Sequence, residues 1–379
     1  MLNVDVLVVG AGLAGLQTAR LLARRGLDVV VVDRRRELTA GIRTTGIFVR
    51  RTLQDFALPG HLLGPGVRDV MLYPPSRRNP VRLRSERDEY RVADMPGVYE
   101  HARRIAEAAG ARVLLGVRYP EQTRHIRARF VVGADGARSR VARELGLGVN
   151  RRMLVGAELV HPIASGTTEP AFHCVLDPRV APGYLAWVID DGRHAHVGVA
   201  GYPEAMRAGV RHLLDEFAPG APGRAVPTGP VERRGGPIPV GGVLRDLACP
   251  RGLLVGDAAG AVSPLTAGGL DPCLRMSELA AAVTEAYLRT GDVRALRRYD
   301  GGALRARFRG RLLLRGLFAG VRSPAAAEGA VALLRRGPGR KAAARVLFGD
   351  GSFPDVPLRH GPELGSPAGS LGPGSGYAA

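Results

Sequence analysis

Residues 5–15 read DVLVVGAGLAG. Val6–Val9 is a short apolar, β-branched run, the pattern of a buried strand. Gly10, Gly12 and Gly15 follow at GxGxxG spacing, and Leu16–Arg25 reads as a helix. The glycines have separate steric tasks. Gly10 makes a tight turn, Gly12 lets a diphosphate approach the backbone, and Gly15 lets helix and strand pack closely. Ala11, Leu13 and Ala14 lie between them in the same turn. The helix N-terminus adds unpaired N–H groups and the positive end of a dipole, both favourable to a diphosphate. A second run, Val29–Val32, ends at Asp33, about 20 residues past the glycines, where an acid binds a ribose hydroxyl. A tight turn without a ligand accounts for the glycines alone. Strand, glycines, helix, strand and acid in this order point to a dinucleotide site.

The 379 residues suffice for roughly two domains. A hydrophobic content of 45% is that of a globular protein with a sizeable core. The net charge is +19, almost all of it from arginine, since Lys341 is the only lysine. The arginines are scattered and aromatics make up only 5% of the chain, which argues against a nucleic-acid-binding face. Solubility and attraction to anionic ligands or surfaces are the expected consequences of the charge. Cys174, Cys249 and Cys273 are odd in number, far apart and without metal-ligand spacing. They point to a reducing, cytoplasmic compartment and to no metal site. The N-terminus lacks a basic signal-peptide region, and no apolar run reaches the roughly 18 residues that a membrane span needs. Oligomeric state leaves no mark in the sequence.

Along the chain, Leu38–Val49 is a glycine-bearing loop followed by an apolar run. Arg43 within it is either a phosphate clamp or a surface arginine. Residues 51–90, rich in Pro, Gly and Arg, read as short strands and loops. Val98–Ala109 is helical, Gly110 ends it, and Val113–Val117 is a strand. Phe130–Val132, Gly133–Arg138 and Ser139–Leu145 form a second strand–turn–helix unit, with Asp135 in the turn. Residues 153–245 alternate strand-like runs with turns: Leu154–Val160, Phe172–Leu176, Leu185–Ile189 and His196–Ala200. They suit a sheet that covers a ligand. Gly252–Leu270, GLLVGDAAGAVSPLTAGGL, gives a strand, then Gly256–Asp257, then Gly268–Gly269 before a buried helix, Pro272–Leu288.

Val293–Val321 reads as one or two helices, with Leu304, Phe308 and Leu312 at four-residue spacing among arginines. That pattern suits either an interfacial helix on a membrane or a solvated basic face above a core-facing stripe. Residues 325–348 add a helical patch, and the Gly, Pro and Ser content past Asp355 reads as a disordered tail. The expected fold is α/β. A discontinuous nucleotide-binding domain (1–50, 91–152 and 246–292) carries an inserted β-rich substrate domain (51–90 and 153–245). A helical region (293–350) and the tail (355–379) complete it.

Three blocks, VVGAGLAGL with Asp33, VVGADGARSRVAR and LLVGDAAGAVSPLTAGGL, together resemble the FAD-dependent oxidoreductases of the aromatic-hydroxylase fold. The third block, with PIPVGG at Pro237–Gly242 upstream, is most similar to the geranylgeranyl reductase branch. The resemblance covers roughly residues 1–35, 90–147 and 235–290. It implies that Gly10, Gly12 and Gly15 hold the FAD diphosphate and that Asp33, with Arg34 beside it, holds the adenosine ribose. Family members usually have Glu at the position of Asp33. Asp135 and Gly136 match a DG motif that braces the FAD region, with Ser139 and Arg143 completing it. Asp257, after Gly256, matches the residue that binds the ribityl part. Gly268, Gly269 and Leu270 match the backbone at the pyrimidine edge of the flavin ring, where N–H groups stabilise negative charge on reduced flavin. Arg43 and Val113 are further positions carried to the cofactor.

The departures bear on chemistry. Hydroxylases of this fold carry His after GDAA, and here Gly260 stands there. Prenyl reductases often offer a cysteine–glycine loop near the flavin, where this chain has Thr44–Thr45–Gly46. The aromatic Y-x-W-x-F-P segment survives as Tyr184-Leu185-Ala186-Trp187 without its Phe-Pro end. The segment between Gly110 and Asp135 is short where relatives commonly have a longer β-meander. Trp187, Tyr184 and Phe172 are pocket candidates or ordinary core aromatics. Cys273, at a helix start, is a thiol of lowered pKa or a packing residue. His173 is an acid candidate or a structural histidine.

The resemblance implies an FAD enzyme acting on an apolar small molecule, by reduction of C=C bonds in a prenyl or polyene substrate, with NADH or NADPH as electron donor. A flavin monooxygenase or halogenase is the second reading. A flavin-free prenyl-binding escort protein is the third.

Overall fold

The computed structural model describes residues 1–164 and 170–348, so the expected tail at 355–379 lies outside the described residues. In chain order the strands are β1 (Leu2–Val9), β2 (Val29–Asp33), β3 (Ile47–Val49), β4 (Asp69–Tyr73), β5 (Val81–Arg84), β6 (Tyr90–Val92), β7 (Arg112–Leu115), β8 (Ile126–Gly133), β9 (Met153–Pro162), β10 (Ala171–Val175), β11 (Ala186–Asp190), β12 (His194–Gly201), β13 (Glu232–Pro239), β14 (Ala248–Cys249) and β15 (Gly252–Leu254). The α-helices are α1 (Leu13–Ala23), α2 (Arg50–Asp55), α3 (Met95–Ala108), α4 (Arg140–Leu145), α5 (Val210–Phe217), α6 (Leu270–Thr290), α7 (Gly301–Ala306), α8 (Arg309–Ala319), α9 (Pro324–Arg335) and α10 (Gly337–Phe348).

The valine-rich run that opens the chain forms the middle of a six-stranded sheet in the order β14-β15-β8-β1-β2-β7. β1 pairs in parallel with β2 and β8, β15 in parallel with β8, and only β14 runs antiparallel. Parallel strands are covered on both faces, which explains the unbroken apolar runs of β1 and β2. Val6, Val8, Val29, Val30 and Val31 are fully buried, and α1 packs against α3 and α6. Helix α1 starts three residues before the expected Leu16. Gly12, extended at φ −77° and ψ 175°, is its N-cap, so Leu13 is already helical. Helix α3 likewise starts three residues early, because Asp94 caps it by accepting from the Gly97 N–H.

A seven-stranded sheet in the order β13-β9-β12-β11-β10-β4-β5 faces this unit. The two stretches read as β-rich, 51–90 and 153–245, meet in it through the parallel β4–β10 pair. Directly opposed residues share a face, so the registers sort the side chains. Ala157, Leu159, Val188, Val197 and Val199 turn to one face and pack under Leu214 and Phe217 of α5. Leu154, Gly156, Glu158, His196, Gly198 and Trp187 turn to the other. That inner face meets the loops of the first unit at one end and α9 and α10 at the other. Among the described residues, the segment between β7 and β8 contains no further strand, as its shortness implied.

The C-terminal region is more broken than its leucine spacing suggested. A 3-10 turn at Val293–Arg298 precedes α7 and α8, and residues 325–348 form two helices parted at Arg336. Leu304 and Phe308 are buried as expected. However, Arg305, Arg311 and Arg315 turn inward, while Leu313 and Leu317 lie 68% and 65% exposed. No helix among the described residues is long and apolar enough to cross a membrane.

Candidate FAD site

The first glycine block builds its turn as the spacing requires. Gly10 has φ +106°, and a Cβ there would strike the Ala134 carbonyl. A Cβ on Gly15 would strike the Gly10 carbonyl oxygen, so strand, turn and helix meet backbone to backbone. In front of Gly12, by contrast, nothing lies within 4 Å. Helix α1 has no side-chain cap and no acid in its first turn. The open approach at Gly12 and the uncapped N-terminus together fit a diphosphate.

Asp33 sits at the end of β2, buried beside this turn. Its Oδ2 accepts from the Ala11 N–H at 2.8 Å and from Arg35 Nη2 at 3.0 Å. Its Oδ1 accepts from the Arg35 backbone N–H at 2.8 Å and Nε at 3.1 Å. Burial works to raise this carboxyl, but Arg35 and the two N–H groups hold it below its usual value. A carboxylate has about four acceptor positions. All are engaged, so a ribose hydroxyl reaches Asp33 only when the Arg35 guanidinium moves aside. The expectation for Arg34 is corrected: Arg34 is exposed, and Arg35 makes these contacts while stacking over Tyr99 at 5.6 Å. Val113 lies mid-strand in β7 opposite Val31, whereas Leu115 and Val117 come up to Asp33.

The second block caps rather than reaches out. Asp135 Oδ2 accepts from the N–H groups of Arg140 and Val141 at 2.6 and 3.2 Å, and Ser139 Oγ accepts from that of Ala142. Gly136 takes φ +85° to make the turn, and Arg143 donates to the Arg138 carbonyl at 3.4 Å. Asp135 Oδ1 is buried with no hydrogen-bond partner. Asn150, absent from the sequence reading, donates from Nδ2 to the carbonyls of Ala137 and Asp257, tying the second block to the third.

The third block closes on the first. A Cβ on Gly256 would press on the Ala14 methyl at 2.8 Å, and Ser277 Oγ donates to the Ala14 carbonyl at 3.1 Å. A Cβ on Gly269 would sit 3.4 Å from Asp257 Oδ1, which puts this carboxyl beside the glycine pair. Burial pushes the Asp257 carboxyl up to about 6. Helix α6 starts at Leu270 with Gly269 as an N-cap that offers no side chain. The loop before it is tied internally: Ser263 N–H donates to the Gly268 carbonyl, and Ser263 Oγ accepts from Thr266 and, at 2.9 Å, from Arg311. Gly260 has φ +69°, and a Cβ there would lie 2.7 Å from the Gly242 carbonyl oxygen. Cys273 is corrected as a thiol of lowered pKa. It is buried, donates to the Leu270 carbonyl at 3.2 Å, and is pushed well up by burial and by Asp257 and Asp271.

A buried ion cluster missed in the sequence lies under this loop. Arg275, 2% exposed, holds Asp55 at 2.7 Å and Asp271 at 2.9 Å, and Thr52 Oγ1 donates to Asp271 at 2.8 Å. Arg305 donates to the carbonyls of Gly241 and Val243. Arg315 stacks on Tyr184 and Tyr202.

The inner sheet face supplies the remaining wall. Tyr184 OH donates to the Thr266 carbonyl at 2.6 Å. The Trp187 indole lies over Gly198 and donates to Glu158 Oε1 at 3.3 Å, and it packs on the same cluster of Leu154, Tyr184, Ala200 and Val240 as Ala267. Thr45 Oγ1 donates to the same oxygen at 2.5 Å. Phe172 sits farther along, edge-on to Tyr90 and beside α10. Arg43 is exposed, its stem over Gly236 of β13. His173 points to the opposite face, bonded to Tyr73 OH at 3.0 Å. It lines a pocket of about 270 Å³ that the sheet separates from Trp187. Among the described residues no group of His, Cys, Asp and Glu could hold a metal.

Comparisons with known proteins bear on this arrangement. The FAD binding domain family model matches residues 3–57 and 86–176. Digeranylgeranylglycerophospholipid reductase 1 of Methanopyrus kandleri is 30% identical over 319 residues, 78% of this chain and 84% of its own. A geranylgeranyl bacteriochlorophyll reductase-like protein from Thermoplasma acidophilum shares the fold at a TM-score of 0.78 and 22% identity, over 92% of this chain and 97% of that one. The myxobacterial FAD-dependent chondrochloren halogenase shares it at 0.62 and 16% identity, over 92% and 91%.

Proposed function

This chain belongs to the digeranylgeranylglycerophospholipid reductase family of FAD-dependent oxidoreductases, and from that premise we propose that it saturates C=C bonds in a prenyl or polyene lipid. The observation that carries the reading is that the three glycine blocks meet one another. Gly12 stands open, Gly256 packs on Ala14, and Asp257 adjoins Gly269. FAD supplies the hydride chemistry when bound, and the chain supplies position, exclusion of water and charge. Gly10, Gly12, Gly15 and the α1 N-terminus would hold its diphosphate. Asp33 and Arg35 would hold its adenosine end, Asp257 its ribityl part, and the backbone at Gly268–Leu270 its ring edge. NADH or NADPH would deliver the electrons.

Gly260 speaks against the oxygenase reading. Its left-handed backbone and the Gly242 carbonyl leave no room for the histidine that hydroxylases of this fold carry there. The test is a visible spectrum of the purified protein, anaerobic reduction with NADH and with NADPH, and product analysis with a prenyl lipid. Saturated product is expected. Substrate-dependent oxygen consumption without saturation would overturn the assignment. Exposed Leu313 and Leu317 beside Arg309 suit contact with an anionic lipid surface, where such a substrate resides. Salt-sensitive co-sedimentation with anionic vesicles, lost in Leu313→Ser/Leu317→Ser, tests that contact.

A further inference from the structure

Saturating a C=C bond adds a hydride to one carbon and a proton to the other. The hydride is flavin chemistry, while the proton must come from this chain or from water. We propose that Thr45, Glu158, His196 and Asp191 form a proton relay from solvent to the inner sheet face, with the Thr45 hydroxyl as the group that protonates the substrate carbon. This rests on the C=C reduction proposed above.

The four residues come from separate elements and meet in one line. Thr45, in the loop before β3, donates to Glu158 Oε1 at 2.5 Å. Glu158 on β9 and His196 on β12 are 4% and 2% exposed on the inner sheet face. His196 Nδ1 stands 3.7 Å from Glu158 Oε1, buried and with no hydrogen-bond partner. On the other edge of the ring, Nε2 stands 3.5 Å from Asp191 Oδ2. Asp191 in the β11–β12 turn also meets His194 Nδ1 at 3.4 Å, and the His194 side chain is 45% exposed. The line therefore runs from solvent to the Thr45 hydroxyl. At its inner end Trp187, which donates to Glu158, packs on the same cluster of Leu154, Tyr184, Ala200 and Val240 as Ala267, in the loop that precedes the glycine pair assigned to the ring edge.

A structural role explains this arrangement poorly. An acid and a histidine buried together at 3.7 Å, short of hydrogen-bond contact, cost desolvation that a pair of apolar side chains avoids. The neighbours on this face, Leu154, Val160 and Ile189, show that the sheet packs well with such residues. The charge pattern keeps the proton available. Burial alone would depress the His196 ring, yet Asp191 and Glu158 push it up to about 9. Burial would raise Glu158, yet His196 and Thr45 hold it below its usual value. Arg234 on β13, His161 on β9, and Asp190 and His194 around the hairpin are the other charged or titratable groups facing the pair.

The steps balance. The new C–H bond takes the Thr45 hydroxyl proton. The Thr45 oxygen takes a proton from Glu158, which has received one from protonated His196. His196 is left as its Nε2–H tautomer, and it takes a proton back from solvent by way of Asp191 and His194 once its ring has turned the bare Nδ1 towards Asp191. No electrons move along the relay.

The test uses dithionite-reduced holoenzyme mixed anaerobically with geranylgeranyl diphosphate, with flavin reoxidation followed by its visible absorbance. Thr45→Val should slow reoxidation about a hundredfold, the usual scale of general acid catalysis. Thr45→Ser should restore it, and FAD affinity should stay unchanged in both. The wild-type rate should fall as pH rises past about 9, and His196→Asn should remove that limb. Independently of turnover, the His196 ring followed by NMR in oxidised holoenzyme should titrate near 9, and lower in Glu158→Gln. If the wild type saturates the alkene and Thr45→Val does so equally fast, the relay is wrong and the proposed function stands. If FAD-loaded wild type saturates no alkene, both fall.

Discussion

Replacing Arg275 by Met should expose how much the ring-edge loop depends on the ion cluster beneath it. Arg275 is 2% exposed and holds Asp55 at 2.7 Å and Asp271 at 2.9 Å, with its guanidinium over Phe56. Removing one partner of a buried pair leaves charge without compensation and costs about 3–5 kcal/mol. Asp55 keeps Arg51 at 3.0 Å, and Asp271 keeps the Thr52 hydroxyl at 2.8 Å. The lower end, about 3 kcal/mol, is therefore expected. Urea unfolding of the apoprotein measures it. Adding Asp271→Asn to the Met variant should recover part of the loss, since it neutralises a carboxylate that has lost its Arg275 pair. A loss within about 0.5 kcal/mol, the scale of an ordinary surface substitution, would refute the reasoning.

Gly12→Ala should leave apoprotein stability unchanged and lower FAD affinity at least about tenfold, read by flavin titration, because its Cβ enters the open approach. Gly15→Ala should destabilise the apoprotein as well, because its Cβ meets the Gly10 carbonyl; equal stability of the two variants would contradict this. Asp257 gives a pH signature. Its folded carboxyl titrates at about 6, above the unfolded value of 3.8, so the folded state binds its proton more tightly. Apoprotein stability should therefore fall as pH rises between those values, by at most about 3 kcal/mol, and Asp257→Asn should remove that part of the slope. Gly260→His should destabilise the protein by more than about 1 kcal/mol in thermal unfolding without creating oxygenase activity, since φ +69° and the Gly242 carbonyl both oppose a side chain.

The glycine blocks were legible because their constraint is local. Gly10 and Gly15 are fixed by backbone contacts within a few residues of themselves or across one strand pair. Leu154–Val160 was also legible as a strand-like run. It did not say that Glu158 would be roofed by Trp187 and Thr45, because that depends on Gly198 opposite it in β12. Arg35 was overlooked in favour of its neighbour, since which of two successive arginines turns back on Asp33 is set by the turn and not by spacing. The spacing of Leu304, Phe308 and Leu312 reads as one or two helices, and all three do pack on the core. It did not say that Arg311 and Arg315 share that inward side, where Ser263 and Tyr202 accept from them, while Leu313 and Leu317 face outward.

Arg305, Arg311 and Arg315 fasten loops that were made much earlier in synthesis: residues 241–243, Ser263 and Tyr202. Domains emerge from the ribosome amino end first. The nascent chain thus exhibits its glycine turn while the far wall is still unlatched. The fastening of that wall is a property of the finished polypeptide, acquired when its late helices dock.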